Sequence, residues 1–271
     1  SGFVGEGMLD ISAVGDIFAA PGPPTVLEAL REANREAGVL FVVLNHAGDV
    51  MSANMAMQMA EREGLNVKML LTCEDISAGV DTPEEDRRGL AGCIPLYKVA
   101  GAAAEAGKSL DEVYDIAQRF NKQMATLAVA MKSATHPQNG QYISELPDDE
   151  MEIGMGQHGE AGGGRSKILT ADETAERMLP PLVQAVDAKS GDKVLLVVNG
   201  VGATTHMEMN IVFRKVYRLL EGLGITVVSG LIDELLTVQE MAGFQLILCK
   251  LDEDHVQLLK APADSPYWTV R

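Results

Sequence analysis

The stretch "VLFVVLNHAGDVMSANMAMQMAEREGLNVKMLLT", residues 39–72, decides the fold class. Its first six residues form an apolar, valine-rich run of strand length, and the loop "NHAGD" follows at residues 45–49. From there to about Glu63, methionines and alanines recur at helical spacing, and a second apolar run occupies residues 66–72. A strand, a helix and a strand in succession predict a sheet with parallel neighbours that is covered by helices on both faces.

The rest of the chain repeats this alternation. Ser109 with Glu112, and Thr170 with Glu173, have the spacing of capping boxes and predict helix starts. The second of these helices should be interrupted at Pro180 and Pro181. Further strands are predicted at 126–131, 193–200, 225–232 and 244–251, and the polar stretch 132–150 has no period. We therefore predict an α/β protein of two α/β domains, 1–124 and 125–271, with mixed, partly parallel sheets flanked by helices.

The composition excludes several classes of function. The formal charge of −17 repels a phosphate backbone, so nucleic acid is not an expected partner. No apolar run approaches the roughly 18 residues of a membrane span, and no signal peptide opens the chain. The three cysteines lie far apart, which predicts reduced, buried thiols in a cytoplasmic protein. His136, His206 and His255 have no partners at metal-ligand spacing, so we expect surface histidines and no metal site.

The candidate for chemistry is His158, which stands between glycines in "EIGMGQHGEAGGG", residues 152–164. A histidine offers a neutral, nucleophilic nitrogen near pH 7, and glycines let the backbone approach a ligand closely. Such a nitrogen can add to a carbonyl carbon. From these residues alone, a reactive side chain and an accident of loop composition remain equally open.

Two other loops have a structural interpretation beside a functional one. Asp49 could be the N-cap of a helix beginning at Val50, which is the favoured interpretation, or a general base for a substrate hydroxyl. The stretch "NGVGATT", residues 199–205, lacks the spacing of a phosphate-binding loop and predicts a tight turn between a strand and a helix.

Taken together, several stretches resemble the dihydroxyacetone-binding K subunit of dihydroxyacetone kinases. "NHAGD" corresponds to the family's Asn-Tyr-Thr-Gly-Asp, and "DEMEIGMGQHGEAG" at 149–162 carries the most specific motif, the one around His158. The remaining matches follow the family's order over nearly the whole chain: "GFVGEGML" (2–9), "RRGLAG" with "KVAGAAAEAG" (87–107), "NGVGATT" (199–205) and "MAGFQLILCKLD" (241–252).

The resemblance implies that His158 adds through a ring nitrogen to the ketone of dihydroxyacetone and forms a reversible hemiaminal. The terminal hydroxyl is then phosphorylated to give dihydroxyacetone phosphate, with Asp49 as part of an acid/base pair. No cofactor is expected on this chain. The resemblance places ADP or ATP with Mg²⁺ on a separate nucleotide-binding L subunit. The phosphoryl group then comes either from ATP or from a phosphotransferase relay that recharges bound ADP. The resemblance also implies a homodimer.

The chain departs from the family at three places. About the first sixty family residues, with a second catalytic histidine, are absent, and we expect them to be cleaved, disordered or otherwise outside this chain. A family lysine is Leu44 here, Tyr and Thr are His46 and Ala47, and a Thr-Ser-Pro is Ala19-Ala20-Pro21. The expected substrate contacts are then His158, Asp49, Gly48, Ala20, Leu44 and His46.

These departures leave two alternatives to a dihydroxyacetone kinase subunit. One is a kinase subunit for another short ketose such as erythrulose, because the pocket residues differ. The other is a non-catalytic regulatory paralogue that binds a transcription factor. Retention of His158 and Asp49 favours an enzyme, and the absent histidine loop favours a regulator.

Overall fold

The computed structural model describes residues 2–271 and divides into two compact units, each assembled from separate stretches. The first unit contains the residues up to Cys73, then Gly92–Lys122 and Glu253–Arg271. The second contains Glu74–Ala91 and Gln123–Asp252. The chain therefore changes unit at residues 73–74, 91–92, 122–123 and 252–253.

The helices described over residues 2–271 are, in chain order, α1 (Pro23–Ala33), α2 (Ala47–Arg62), α3 (Cys93–Glu105), α4 (Leu110–Asn121), α5 (Ala171–Ala185), α6 (His206–Gly222) and α7 (Glu253–Lys260), with a 3₁₀ turn at Glu84–Asp86. The strands are β1 (Val39–Leu44), β2 (Val67–Thr72), β3 (Met124–Lys132), β4 (Glu150–Ile153), β5 (Gly164–Lys167), β6 (Lys193–Gly200), β7 (Thr226–Asp233), β8 (Ala242–Leu251), β9 (Ala263–Ser265) and β10 (Trp268–Val270).

The first unit is built on the predicted strand, helix and strand. β1 and β2 pair in parallel, from Val39 opposite Val67 to Leu44 opposite Thr72. α1 and α2 pack on this pair through a small buried cluster that includes Leu27 and Ala56. β9 and β10 form a short antiparallel hairpin.

The second unit is a six-stranded mixed sheet in the order β5-β4-β3-β8-β6-β7. β6 and β7 are parallel, and the other neighbours are antiparallel. α5 and α6 contribute Met178 and Val216 to the core, where they join sheet residues such as Leu196 and Leu246. The prediction of an α/β protein with mixed sheets flanked by helices is confirmed.

The predicted interruption of α5 was wrong, because the helix continues through Pro180 and Pro181 to Ala185. Each proline removes one backbone hydrogen bond to the residue four positions earlier, here Glu176 and Arg177. Both of these residues are exposed, so water can satisfy their carbonyl groups. The buried apolar face that includes Met178 keeps the helix in place against the sheet.

His255 also differs from its prediction as a surface residue, since it is fully buried in α7. Its ring meets the edge of Phe120 with centroids 5.2 Å apart, and Nε2 lies 3.4 Å from the carbonyl oxygen of Ile116. The prediction of reduced, buried cysteines is confirmed for Cys73, Cys93 and Cys249. Over residues 2–271, the helices are all too short or too polar to cross a membrane.

Candidate functional site

The histidine motif forms a hydrogen-bonded loop beside the middle of β3, in the second unit. β4 enters antiparallel to β3, and the backbone N–H of Gly154 donates to the carbonyl oxygen of Ala128 at 2.7 Å. The loop closes where the N–H of Gly163 donates to the Ile153 carbonyl oxygen, also at 2.7 Å. Residues 154–163 thus form the loop that connects β4 to β5, and the two ends of this loop lie side by side.

The glycines of this loop are required by close packing and by backbone conformation. A Cβ at Gly162 would overlap the carbonyl of Gly154, so the two ends of the loop can only meet without a side chain there. Gly159 directly follows the histidine with φ of +80°, in the left-handed region that favours glycine. The same run of glycines that the sequence shows around His158 therefore fixes a tight loop.

Glu160 is the group that orients His158. Its Oε1 lies 3.3 Å from His158 Nδ1, and its Oε2 accepts the backbone N–H of His158 at 2.9 Å. Partial burial of the carboxyl opposes ionisation, but hydrogen bonds from His158 and the loop backbone outweigh it and lower the pKa of Glu160 to about 2. Glu160 is therefore an ionised carboxylate at neutral pH, and it directs Nδ1 of the ring towards itself.

A second carboxylate fastens the far side of the loop. Glu152, at the end of β4, is almost completely buried. Its Oε1 accepts a hydrogen bond from the N–H of Gly162 at 2.7 Å, and its Oε2 accepts one from Nε of Arg165 at 3.2 Å. Each carboxylate oxygen thus meets a donor, and the charged arginine offsets part of the cost of burying Glu152.

Asp49 lies in the first turn of α2, in the first unit. The predicted N-cap role was wrong, because the helix begins at Ala47 and His46 occupies the cap position with extended backbone angles. A carboxylate in a first turn is stabilised by the helix dipole, by about 0.3–1 kcal/mol at an exposed site. Asp49 is partly exposed, so it remains able to meet a ligand.

The other substrate contacts predicted for this unit collect around the same helix start. Leu44 ends β1, the N–H of Asn45 continues the pairing to the carbonyl of Thr72, and the helix begins two residues later. A Cβ at Gly48 would lie 3.4 Å from that of Ala20, so the segment before α1 passes close to this turn. The structure thus places Ala20, Leu44, His46, Gly48 and Asp49 in the first unit and His158 in the second.

A cavity of about 360 Å³ borders Asp49 along the open side of β1. Over residues 2–271, β1 pairs only with β2, and apolar side chains such as Val26 and Ala100 line much of the cavity. A polyol placed among apolar groups would leave hydroxyls without partners, at a cost of roughly 1–3 kcal/mol for each. This cavity alone is therefore a poor site for a short sugar.

The loop "NGVGATT" is a structural turn, as predicted. The buried amide of Asn199 accepts N–H groups of Leu235 and Leu236 and donates to the carbonyl of Leu236. Thr205 caps α6 in a capping box with Glu208. The polar groups of this loop hold neighbouring backbone in place.

Glu152 and Glu160 were not singled out from the sequence, although both lie in the quoted motif. Glu160 stands two residues after His158, a separation that brings a carboxylate back to the ring only if the glycines turn the chain. The motif "HGE" was therefore the available signal.

Comparisons with known proteins identify relatives over nearly the whole chain. The model of the Dak1 domain matches residues 1–267. The dihydroxyacetone-binding subunit DhaK of PTS-dependent dihydroxyacetone kinase 1 from Listeria innocua is 38% identical over 269 residues, which cover 99% of this chain and 82% of the relative. L-erythrulose kinase from Pectobacterium atrosepticum is 36% identical over 270 residues, covering 98% of this chain and 46% of that protein.

Among solved structures, the dihydroxyacetone kinase operon co-activator Dha-DhaQ superposes with a TM-score of 0.94 at 31% identity, covering 99% of this chain and 83% of that one. Kinase subunits and a co-activator therefore share this fold.

Proposed function

Because the chain belongs to the Dak1 domain family, we propose that it is the substrate-binding subunit of a dihydroxyacetone kinase and captures dihydroxyacetone on His158. The observation that carries the proposal is the pairing of His158 with Glu160 in a glycine loop. A ring whose Nδ1–H points to a carboxylate has its lone pair on Nε2, which is the nucleophile required for addition to a ketone.

The capture step balances as the addition of an imidazole N–H across a C=O bond. Nε2 forms a bond to the carbonyl carbon, the carbonyl oxygen gains a proton from solvent, and the ring loses the Nδ1 proton to solvent. With a pKa of about 2, Glu160 is too weak a base to keep that proton. Its role is to stabilise the positive charge that develops on the ring before the proton leaves.

Covalent capture explains how such a subunit would distinguish a ketose from glycerol. Glycerol has no carbonyl carbon for Nε2 to attack, so it cannot form the adduct. A site that used hydrogen bonds alone would reject glycerol only if the bound alcohol left polar groups of the site unpaired. Formation of the adduct instead selects directly for a ligand that has a ketone.

Phosphoryl transfer requires a base and a donor. In this proposal Asp49, which is partly accessible in the first turn of α2, accepts the proton of the terminal hydroxyl. A separate nucleotide-binding L subunit holds ADP or ATP with Mg²⁺ and supplies the phosphoryl group. The name of the Listeria relative, which is PTS-dependent, favours ADP recharged by a phosphotransferase relay. The family resemblance also supports a homodimer.

A short ketose other than dihydroxyacetone is the second candidate. Leu44, His46 and Ala20 replace polar family residues, and a relative at 36% identity is named L-erythrulose kinase. Competition between dihydroxyacetone and erythrulose for His158 measures the preference.

A regulatory role is the third candidate, and the likeness to a co-activator at a TM-score of 0.94 favours it. A kinase subunit passes its captured ketose to the L subunit for phosphorylation. A regulator instead binds a transcription factor and gives no phosphorylated product. Reconstitution with an L subunit distinguishes the two.

The experiment that tests the proposal is carbon NMR of [2-¹³C]dihydroxyacetone mixed with the protein. We expect the ketone resonance to lose intensity to a broad upfield signal from a protein-bound tetrahedral carbon, distinct from the sharp signal of the free hydrate, and we expect His158→Ala to abolish the broad signal. His206→Ala, at an exposed histidine of α6, is the matched control and should retain it. A broad, protein-bound upfield signal that survives in His158→Ala would refute capture on His158.

A further inference from the structure

We infer that Arg88 is a positioning residue for His158: its guanidinium, oriented by Asp75, fixes the start of the loop that carries the histidine. The inference rests on the proposed function for its effect on substrate capture. Its geometric part concerns residues of the second unit alone.

Arg88 joins two segments of that unit that are far apart in sequence. Its Nε donates to Oδ2 of Asp75 at 2.7 Å, and its Nη2 donates to Ser77 Oγ at 2.8 Å. The same Nη2 donates to the carbonyl oxygen of Gly154 at 2.7 Å. Gly154 is the first residue after β4 and stands four positions before His158. One planar group thus fixes both a neighbouring segment and the entrance of the histidine loop.

Asp75 is built to hold the guanidinium in one orientation. The Asp75 carboxylate is buried, and it accepts the backbone N–H and the hydroxyl of Ser77 at 2.9 and 3.1 Å. The backbone N–H of Asp75 donates in turn to the carbonyl oxygen of Arg88 at 3.0 Å. The segment that contains Asp75 is fastened to β3, because the Ile76 N–H donates to the carbonyl oxygen of Thr126 and the Thr126 N–H donates to the carbonyl oxygen of Glu74. The carboxylate that holds the Arg88 guanidinium is therefore anchored to the sheet.

The Arg88 guanidinium also lies close to Gly156, within the loop that carries His158. A Cβ at Gly156 would overlap both Nη1 of Arg88 and Oε2 of Glu160, so these two groups lie next to each other on the same side of Gly156. The N–H of Gly156 donates to the carbonyl of Glu160 at 2.8 Å. A shift of the Arg88 head would thus be transmitted to Glu160 and, through it, to the ring of His158.

The adjacent arginine provides a matched control. Arg87 donates through Nε to the carbonyl of Thr82 at 2.9 Å and through Nη2 to the carbonyl of Val80 at 2.8 Å. These bonds close a turn within its own segment. The two neighbours have the same charge and both donate to backbone carbonyls, but the bonds described for Arg87 end on Val80 and Thr82 and not on residues 154–163.

The effect follows from the geometry that addition requires. Nε2 must approach a carbonyl carbon to about 3–3.5 Å along a defined direction, and a displacement of about 1 Å can lower the rate of such a step by roughly 100-fold. Lysine in place of Arg88 keeps the charge but offers a single ammonium group, which cannot meet Asp75, Ser77 and Gly154 in one plane. We expect Arg88→Lys to weaken ketone capture by about 10- to 100-fold.

The experiment compares Arg88→Lys, Arg88→Ala and the control Arg87→Lys, each confirmed as folded by circular dichroism. Ketone capture is measured as the rate at which the adduct of [2-¹³C]dihydroxyacetone forms, and loop order is measured by hydrogen exchange at the amides of Gly156 and Gly163. The Arg88 variants should capture the ketone more slowly and exchange faster at both amides, and Arg87→Lys should match the wild type. Added guanidinium ion should restore capture in Arg88→Ala.

The outcomes separate this inference from the proposed function. A wild-type protein that captures no ketone counts against the proposed function, while the exchange rates at Gly156 and Gly163 still decide whether Arg88 holds the loop. Wild-type capture together with equal capture and equal exchange in the Arg88 and Arg87 variants would overturn the inference. A loss in Arg88→Ala that guanidinium does not restore, with Arg88→Lys unchanged, would also overturn it.

Discussion

Glu160→Gln tests how the carboxylate supports His158. The side chain keeps its shape but loses the charge, and the hydrogen bond to Nδ1 loses its ionic character. A pKa lowered from 4.5 to about 2 corresponds to roughly 3 kcal/mol in favour of the ionised form. Because the Glu160 side chain is 39% exposed, screening by solvent reduces this to about 1–2 kcal/mol. We expect the variant to be less stable by that amount at pH 7.

The pH dependence gives the sign of the effect. A carboxyl group whose pKa falls on folding stabilises the native state above its unfolded pKa and loses this contribution as the pH falls. For Glu160 the contribution is complete above pH 4.5 and disappears by about pH 2. The difference in urea midpoint between the wild type and Glu160→Gln should therefore shrink over this window.

The same loss should appear in substrate capture. Because the carboxylate stabilises positive charge that the ring carries only while the adduct forms, 1–2 kcal/mol corresponds to a rate of dihydroxyacetone capture about 5- to 30-fold slower. Glu221→Gln, at an exposed glutamate near the end of α6, is the control. Equal urea midpoints and equal rates of ketone capture for the two variants at pH 7 would refute the role assigned to Glu160.

Three further predictions concern the two units. The fully buried Lys98 donates to the carbonyl of Leu258, and burial lowers the pKa of Lys98 to about 8. The native state therefore gains stability relative to Lys98→Met as the pH rises from 8 to 10.5, by up to about 3 kcal/mol, which urea unfolding at several pH values measures. Thr205→Ala removes the hydroxyl that accepts the N–H of Glu208 at the start of α6 and should cost about 1 kcal/mol, seen as a lower urea midpoint. Leu196→Ala opens a cavity beside the interior strand β6 and should cost about 2–5 kcal/mol, and an unchanged thermal midpoint would contradict the packing described for it.

Local patterns predicted the elements of this fold well. The apolar runs at 39–44 and 193–200 coincide with β1 and β6, and the capping boxes mark the starts of α4 and α5. These features depend on neighbours in sequence, so the sequence contains them directly. The continuity of α5 through Pro180 and Pro181 does not, because it depends on packing against a sheet formed by distant residues.

The site shows the same division between local and distant information. The glycines and His158 were evident in the motif, and so was the acid of "NHAGD". The antiparallel entry of β4, which sets the histidine loop beside the middle of β3, depends on strand pairing. The contact of Arg88 with Gly154 joins positions 66 residues apart, and a pattern within one stretch of sequence does not predict it.

The most direct test of the account is a crystal structure of the protein after a soak with dihydroxyacetone, with a glycerol soak and His158→Ala beside it. We expect continuous density between Nε2 of His158 and the central carbon of the ketose. We expect no such density with glycerol or in the variant. Dihydroxyacetone bound elsewhere in full-length protein, with the His158 ring unmodified, would contradict covalent capture and favour the regulatory role.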